Sequence, residues 1–184
     1  LALLFLGNFS FAQQMPIDFS DPAENFLSFL GSSFSFNTDP EDTTNDVGQF
    51  SNSSSNRWEG FYLDLSRAID LDFQNTVSLS FYSFDTNAHT VLLKLENGVN
   101  PDVEVTQSIS SGSGWSNNVV FDFSQAVLSS DGVTPVNATG EYNRLVLFID
   151  GGVFSGGTYF IDNIDDGSTE IDIPEVDVEY TNLV

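Results

Sequence analysis

A chain of 184 residues that is 40% apolar and holds 18 phenylalanines has material for one packed domain and is not disordered. Its 27 acidic residues against four basic ones give a formal net charge of -23, which repels phosphate backbones and excludes nucleic acid as a partner. No cysteine and a single histidine exclude a disulfide framework, a thiolate metal site and a multi-histidine zinc site, and a histidine-based triad is not expected either.

Residues 1–12 are apolar and end in Ser10-Phe11-Ala12, a small-x-small pattern. They read as the remnant of a secretory signal peptide, too short to span a membrane, so the chain is expected to be secreted without membrane insertion. Pro16-Ile17-Asp18-Phe19 is a short strand with a central carboxylate. Phe26 to Phe36 alternates weakly around Gly31, and 39–56 reads as a polar loop with a short strand at Val47 to Phe50. From Trp58 to Ser66 the alternation is clear, with Phe61, Leu63 and Leu65 on one face and Trp58, Gly60, Tyr62 and Asp64 on the other. Val77 to Phe84 sets Val77, Leu79 and Phe81 opposite Ser78, Ser80 and Tyr82. His89 falls in a polar turn and is assigned to a loop. Val91 to Glu96 sets Val91, Leu93 and Leu95 opposite Leu92, Lys94 and Glu96. Strands follow at 103–109, 118–123, 144–150 and 158–164, with one short helical turn expected within 122–128.

Eight or nine short strands separated by turns such as Asn97-Gly98, Asp131-Gly132 and Gly151-Gly152 predict an all-β fold. The expected architecture is a β-sandwich of jelly-roll type, built from two antiparallel sheets over residues 15–167. Residues 168–179 read as an acidic linker, and 180–184 as the start of a following domain. Asn52-Ser53-Ser54 and Asn137-Ala138-Thr139 match glycosylation sequons, a motif too short to carry weight.

Three groups of residues are candidates for function. Trp58, Tyr62 and Tyr82 point away from their strands' apolar faces, as a surface that stacks on sugar rings requires; the alternative is that each ring packs beneath a loop. Trp115, in the loop 112–116, is either a rim contact or an anchor under the following strand. Lys94 is either a donor to sugar hydroxyls or half of a surface ion pair with Glu96. Asp18 and Asp162, on terminal strands expected to be neighbours, are the best carboxylate pair for a bound cation such as Ca2+, with Asp46 or the backbone of 47–49 as further oxygen donors. With 27 acids some pair in reach is inevitable, and none stands in a recognisable catalytic frame, so no enzymatic activity is assigned.

The order Pro16-Ile17-Asp18-Phe19, Arg57-Trp58-Glu59-Gly60, Val91-Leu92-Leu93-Lys94-Leu95-Glu96, Trp115 ahead of Val120-Phe121-Asp122-Phe123-Ser124, and Tyr159-Phe160-Ile161-Asp162-Asn163-Ile164 resembles a carbohydrate-binding module of the family 4 type. Tyr180-Thr181-Asn182-Leu183-Val184 is similar to the lead-in of family 16 glycoside hydrolases of laminarinase type. The resemblance implies a non-catalytic module that binds the polysaccharide β-1,3-glucan (laminarin), acts as a monomer and targets an attached hydrolase. It also implies a structural calcium at Asp18 and Asp162. Because 39–56 lacks aromatic residues other than Phe50, the binding surface is expected to be one sheet face carrying Trp58, Tyr62, Tyr82 and Lys94. A spacer module that binds no sugar is the alternative.

Overall fold

The computed structural model describes residues 15–99 and 101–168. The expected signal peptide, nearly all of the linker and the start of a following domain lie outside the described residues. β1 (Leu27–Phe29), β4 (Gly60–Asp70), β10 (Glu141–Ile149), β6 (His89–Glu96), β7 (Val103–Ile109) and β9 (Val127–Leu128) lie side by side in a six-stranded sheet. β2 (Ser33–Thr38), β3 (Asp46–Ser53), β11 (Gly156–Asp165), β5 (Thr76–Ser83) and β8 (Gly114–Asp122) form a five-stranded sheet. The strand pairs are antiparallel. The all-β sandwich expected from the alternation is therefore the fold.

The period-two faces explain why the sheets stack. Phe61, Leu63 and Leu65 of β4, Leu145 and Leu147 of β10, and Leu93 and Leu95 of β6 are buried against Val77, Leu79 and Phe81 of β5 and Ile161 of β11. At one end the core becomes almost wholly aromatic. Phe50 meets Phe61 at 4.9 Å, and Phe26 and Phe34 at 5.1 Å each, all near edge to face. Such pairs add about 0.5–1.5 kcal/mol each beyond area burial. Gly48 permits this closeness, since a β-carbon there would stand 2.6 Å from the rings of both Phe19 and Phe50.

The structure departs from the sequence reading in four places. The stretch Phe26 to Phe36 is two strands in different sheets, separated at Leu30 and Gly31, whose φ angles are 61° and 109°. The polar stretch 39–56 holds the full-length strand β3, paired with both β2 and β11. Residues 16–19 form no strand: a single bridge, Ile17 to Ile164, brings the two ends together as expected, with N···O distances of 2.8 and 3.0 Å. His89 is no loop residue; it opens β6 and is buried. The helical turn expected after Asp122 is one 3-10 turn, Phe123–Gln125, capped by the Asp122 carboxylate.

Candidate functional site

The outward-facing residues of the six-stranded sheet form two rows set by strand register. Tyr62 of β4 lies beside Val146 of β10, which lies beside Lys94 of β6, which lies beside Glu104 of β7. In the next row Phe29, Gly60, Phe148, Leu92 and Thr106 follow one another. Val146 and Leu92 are buried although they lie on the outer side, so they floor this face from beneath the longer side chains.

Four rings run along one side of it. Phe29 is 6.3 Å from Tyr62 and 5.7 Å from Phe148, and Phe148 is 5.6 Å from Trp58, the last two contacts edge to face. Gly60 makes the row possible. A β-carbon there would come within 2.5 Å of Phe29 and 2.7 Å of Phe148. Trp58 precedes β4 and rests on the Gly151-Gly152 turn, where a side chain at 151 would stand 2.9 Å from its ring. Trp58 remains 47% exposed, so a ring face is open to solvent.

Glu59 holds the loop that carries Trp58. Its carboxylate accepts from the Ser53 amide, the Ser53 hydroxyl (2.8 Å), the Ser55 amide (2.6 Å) and hydroxyl (2.9 Å), and the Asn56 amide (2.9 Å). Asn56 in turn accepts from the Trp58 amide at 3.0 Å. Burial opposes the charge of Glu59, but the hydrogen bonds from Asn56, Ser53 and Ser55 outweigh it and pull its carboxyl down to about 2.

Beyond the rings the face becomes an ionic groove. Arg144 is bound by Asp64 through two contacts, 2.6 and 3.1 Å, lies 3.7 Å from Glu96, and stacks its guanidinium over Tyr62 at 4.6 Å. Lys94 reaches Glu96 at 2.7 Å and Asp102 at 3.0 Å. Burial works against the Lys94 charge, but Glu96 and Asp102 more than restore it and raise its pKa. A depression of ≈ 360 Å³ lies among Asp64, Glu96, Asp102 and Arg144, and another of ≈ 320 Å³ among Trp58, Phe148, Lys94, Glu104 and Asp131. A smaller one, ≈ 260 Å³, shares Asp102 with the first and Lys94 with the second, so the three lie next to one another along this face.

The expected single platform is corrected here. Trp58, Tyr62 and Lys94 share this face, but Tyr82 and Trp115 do not. Tyr82 is on β5, next to Trp115 of β8, on the outer side of the other sheet. The inner and outer residues of β4, β5 and β6 agree with their alternation; which strands share a sheet is not a local property. Phe29 and Phe148 were missed, although Phe148 alternates with the buried Leu147 and Ile149 just as Tyr62 does with Phe61 and Leu63.

Asp18 and Asp162 lie at the meeting of the chain's two described ends. The Asp18 carboxylate accepts from the Ser20 amide and hydroxyl. Asp162 is buried and accepts from Asn45 at 2.9 Å and from the amide and side chain of Asn163. Burial raises its pKa, Asn45 and Asn163 oppose this, and Asp18 and Asp39 add to it. Glu24, which the sequence did not single out, is 4% exposed with Oε2 lacking any hydrogen-bond partner. Burial, then the Asp18 charge, pushes its carboxyl up to about 7 against the pull of backbone groups at Asp21, Phe19 and Asp18. Among the described residues no three acidic or histidine side chains converge on one point, so a cation here would also draw on backbone carbonyls.

One arrangement resembles a triad. Ser83 Oγ is 3.2 Å from His89 Nε2, and His89 Nδ1 is 2.9 Å from Asp150 Oδ2. Counting histidines did not exclude this; burial does. Ser83 is 1% exposed and its hydroxyl donates to the Asp85 carbonyl at 3.1 Å, so no substrate reaches it. Asp150 also accepts from Ser155 and Tyr159, and burial followed by the Asp150 charge pushes the Tyr159 hydroxyl up to about 12. The cluster braces the turn beneath Trp58.

No protein-family model matches this sequence, and no curated protein matches it. Solved structures do. The family 11 carbohydrate-binding module of the cellulosomal cellulase Lic26A-Cel5E of Clostridium thermocellum superposes with a TM-score of 0.53 at 18% identity, over 76% of this chain and 84% of that one. A Clostridium thermocellum family 11 module in complex with a β-1,3-1,4-mixed-linked tetrasaccharide gives 0.52 at 16% identity, over 76% and 85%. An exo-β-agarase gives 0.53 at 11% identity, over 80% of this chain and 24% of its own. The fold is the one these modules share. Among the described residues no helix is long and apolar enough to cross a membrane.

Glu59 supplies a test of the loop that presents Trp58. Its carboxyl ionises near 4.5 when unfolded and near 2 when folded, so its stabilisation is complete above pH 4.5 and is lost as pH falls through 2. Glu59→Gln is expected to lower the urea midpoint at pH 7, with the gap to the parent chain narrowing from pH 4.5 and closing near pH 2.

Proposed function

We propose that the outer face of the six-stranded sheet binds a neutral β-glucan, without chemistry, and that the chain is a secreted targeting module for an attached glycoside hydrolase. The observation that carries this reading is the row Tyr62–Phe29–Phe148–Trp58 ending in an exposed indole beside a groove of pinned polar groups. A spacer would gain nothing from leaving Trp58 open. Ring faces take the apolar C–H face of a sugar, while the carboxylates of Asp64, Glu96 and Asp102 accept its hydroxyl hydrogens. Gly60, the Gly151-Gly152 turn and the Glu59 loop fix the rings before any ligand arrives, which limits the ordering needed on binding.

The charge of the groove selects the glycan class. Lys94 and Arg144 are each matched by carboxylates, and Glu104 and Asp131 add further negative charge. A uronate or sulfated chain would meet uncompensated repulsion, whereas a neutral glucan would not. The sequence resemblance favours β-1,3-glucan, and the mixed-linked ligand of the family 11 neighbour supports a β-glucan of that kind. The groove acids are engaged in ion pairs with Lys94 and Arg144, a binding arrangement and not that of an acid–base pair.

The binding reading predicts that the chain is retarded in native gels containing laminarin or mixed-linkage glucan and runs freely in gels containing alginate. Trp58→Ala should weaken retardation about tenfold or more, corresponding to a loss of about 1.4 kcal/mol or more. Unchanged mobility of a folded parent chain in every glucan gel would instead establish the spacer.

A structural calcium at Asp18 and Asp162 belongs to the same proposal, with backbone carbonyls as its further ligands. The buried Asp162 carboxyl fits this reading, since burying a charged carboxylate is expensive unless a cation meets it. The ion would neutralise both acids and tie the first described residues to β11. Adding calcium at a hundredfold excess over Kd should stabilise the chain by about 2.7 kcal/mol. In thermal unfolding this is a raised Tm that EDTA reverses; Asp162→Asn, which keeps the side-chain volume, should abolish the response. An identical Tm with calcium and with EDTA would overturn the site.

A further inference from the structure

We propose that the outer face of the five-stranded sheet is a second glycan-binding surface, independent of the first and facing away from it. Tyr82 and Trp115 sit side by side across β5 and β8, 5.2 Å apart and edge to face. Phe84 lies 4.9 Å from Tyr82 and is 52% exposed. Phe160 of β11, buried but outside the inter-sheet core, floors the cluster at 4.9 Å from Phe84. The indole nitrogen of Trp115 donates to Asp39 at 3.1 Å, which fixes the ring's orientation while leaving its faces unassigned to any hydrogen bond. A second ordered group of rings at a sheet surface is not explained by core packing.

The polar half of a sugar site lies next along the same strand. From Tyr82 the outward positions of β5 continue to Ser80 and Ser78, and there a cavity of ≈ 420 Å³ opens, lined by those serines with Asn117, Asn118, Asn163 and Asp165. Two irregularities create it. The β11–β5 register shifts between Asp162 and Asp165, and the β5–β8 register shifts between Leu79 and Phe81, so both neighbours of β5 bulge at the same level. Each bulge carries an asparagine in the left-handed region, Asn163 at φ 51° and Asn118 at φ 55°. Bulges re-aim side chains, and left-handed non-glycine residues tend to gather at functional sites. Here the re-aimed groups are amides, each able to donate and accept, beside two hydroxyls.

The run from Phe84 to Ser78 covers about 20 Å at ~3.4 Å per residue, long enough for several sugar rings laid along the strand. No Lys or Arg is among the residues of the cluster or the cavity, and Asp39, Asp162 and Asp165 are close by. The ligand is therefore uncharged and rich in hydroxyls, the class already assigned to the opposite face; only the choice of glycan rests on that assignment. A chain with two such faces would cross-link neighbouring polysaccharide strands.

Isothermal titration of the full chain with a β-glucan oligosaccharide tests the inference, using Trp58→Ala, Trp115→Ala, their combination and Asn117→Ala, an exposed cavity residue whose loss leaves the core intact. The expected stoichiometry is two oligosaccharides for the parent, one for each tryptophan variant and none for the double variant, with Asn117→Ala weakening only the binding that survives Trp58→Ala. If Trp58→Ala abolishes all binding while Trp115→Ala and Asn117→Ala change nothing, the second face is refuted and the first stands. If Trp58→Ala changes nothing and Trp115→Ala abolishes binding, the second face stands and the first falls. Sedimentation showing a dimer that Trp115→Ala dissociates would assign the face to a second copy of the chain and overturn the inference.

Discussion

The pairing of β4 with β10 determines what this molecule shows to solvent. It places Phe61 beside Leu147 and Leu63 beside Leu145 on the inner side, and therefore Tyr62 beside Val146 and Asp64 beside Arg144 on the outer side. A slip of β4 by one residue would bring Asp64 into the core and expel Phe61, Leu63 and Leu65 from it. The burial that stabilises the sandwich thus fixes, with no further expenditure, the order of rings and charges along the groove. Gly60 extends the same logic: by lacking a side chain it lets Phe29 and Phe148 close over β4 and keeps the aromatic row continuous.

Electrostatics then separates recognition from mere acidity. The chain carries -23 overall, yet two of its four cations stand together. Lys94 and Arg144 stand in one network, Asp64–Arg144–Glu96–Lys94–Asp102, that runs along the groove floor. Isolated surface pairs contribute little to stability, but a network in which each partner restrains the next holds its donors and acceptors in place. That is a property a surface reading hydroxyl groups uses and a solubilising surface does not.

Much of the fold was legible because alternation is local. The inner and outer residues of β4, β5 and β6 follow from the sequence one strand at a time, as does the short turn after Asp122. Sheet membership is not local. Tyr62 and Tyr82 each point away from a core, and nothing within either strand tells that they point in opposite directions. The break at Leu30-Gly31 was hidden for a related reason, since Leu30 adopts a left-handed conformation that its side chain does not advertise. Glu24 and Glu59 were lost among 27 acids. What distinguishes them is a missing partner in one case and five hydrogen-bond contacts in the other, and both arise only from the folded arrangement.

The six-stranded face is the proposed glycan site. The chain has two tryptophans, one on each sheet's outer side, so its two indole N–H resonances report the two faces separately in a nitrogen-15 NMR titration with a soluble β-1,3-glucan oligosaccharide. The account predicts that the Trp58 indole moves together with the amides of Gly60, Tyr62 and Lys94, all saturating with one affinity. A titration that leaves those four resonances in place at saturating ligand would contradict it.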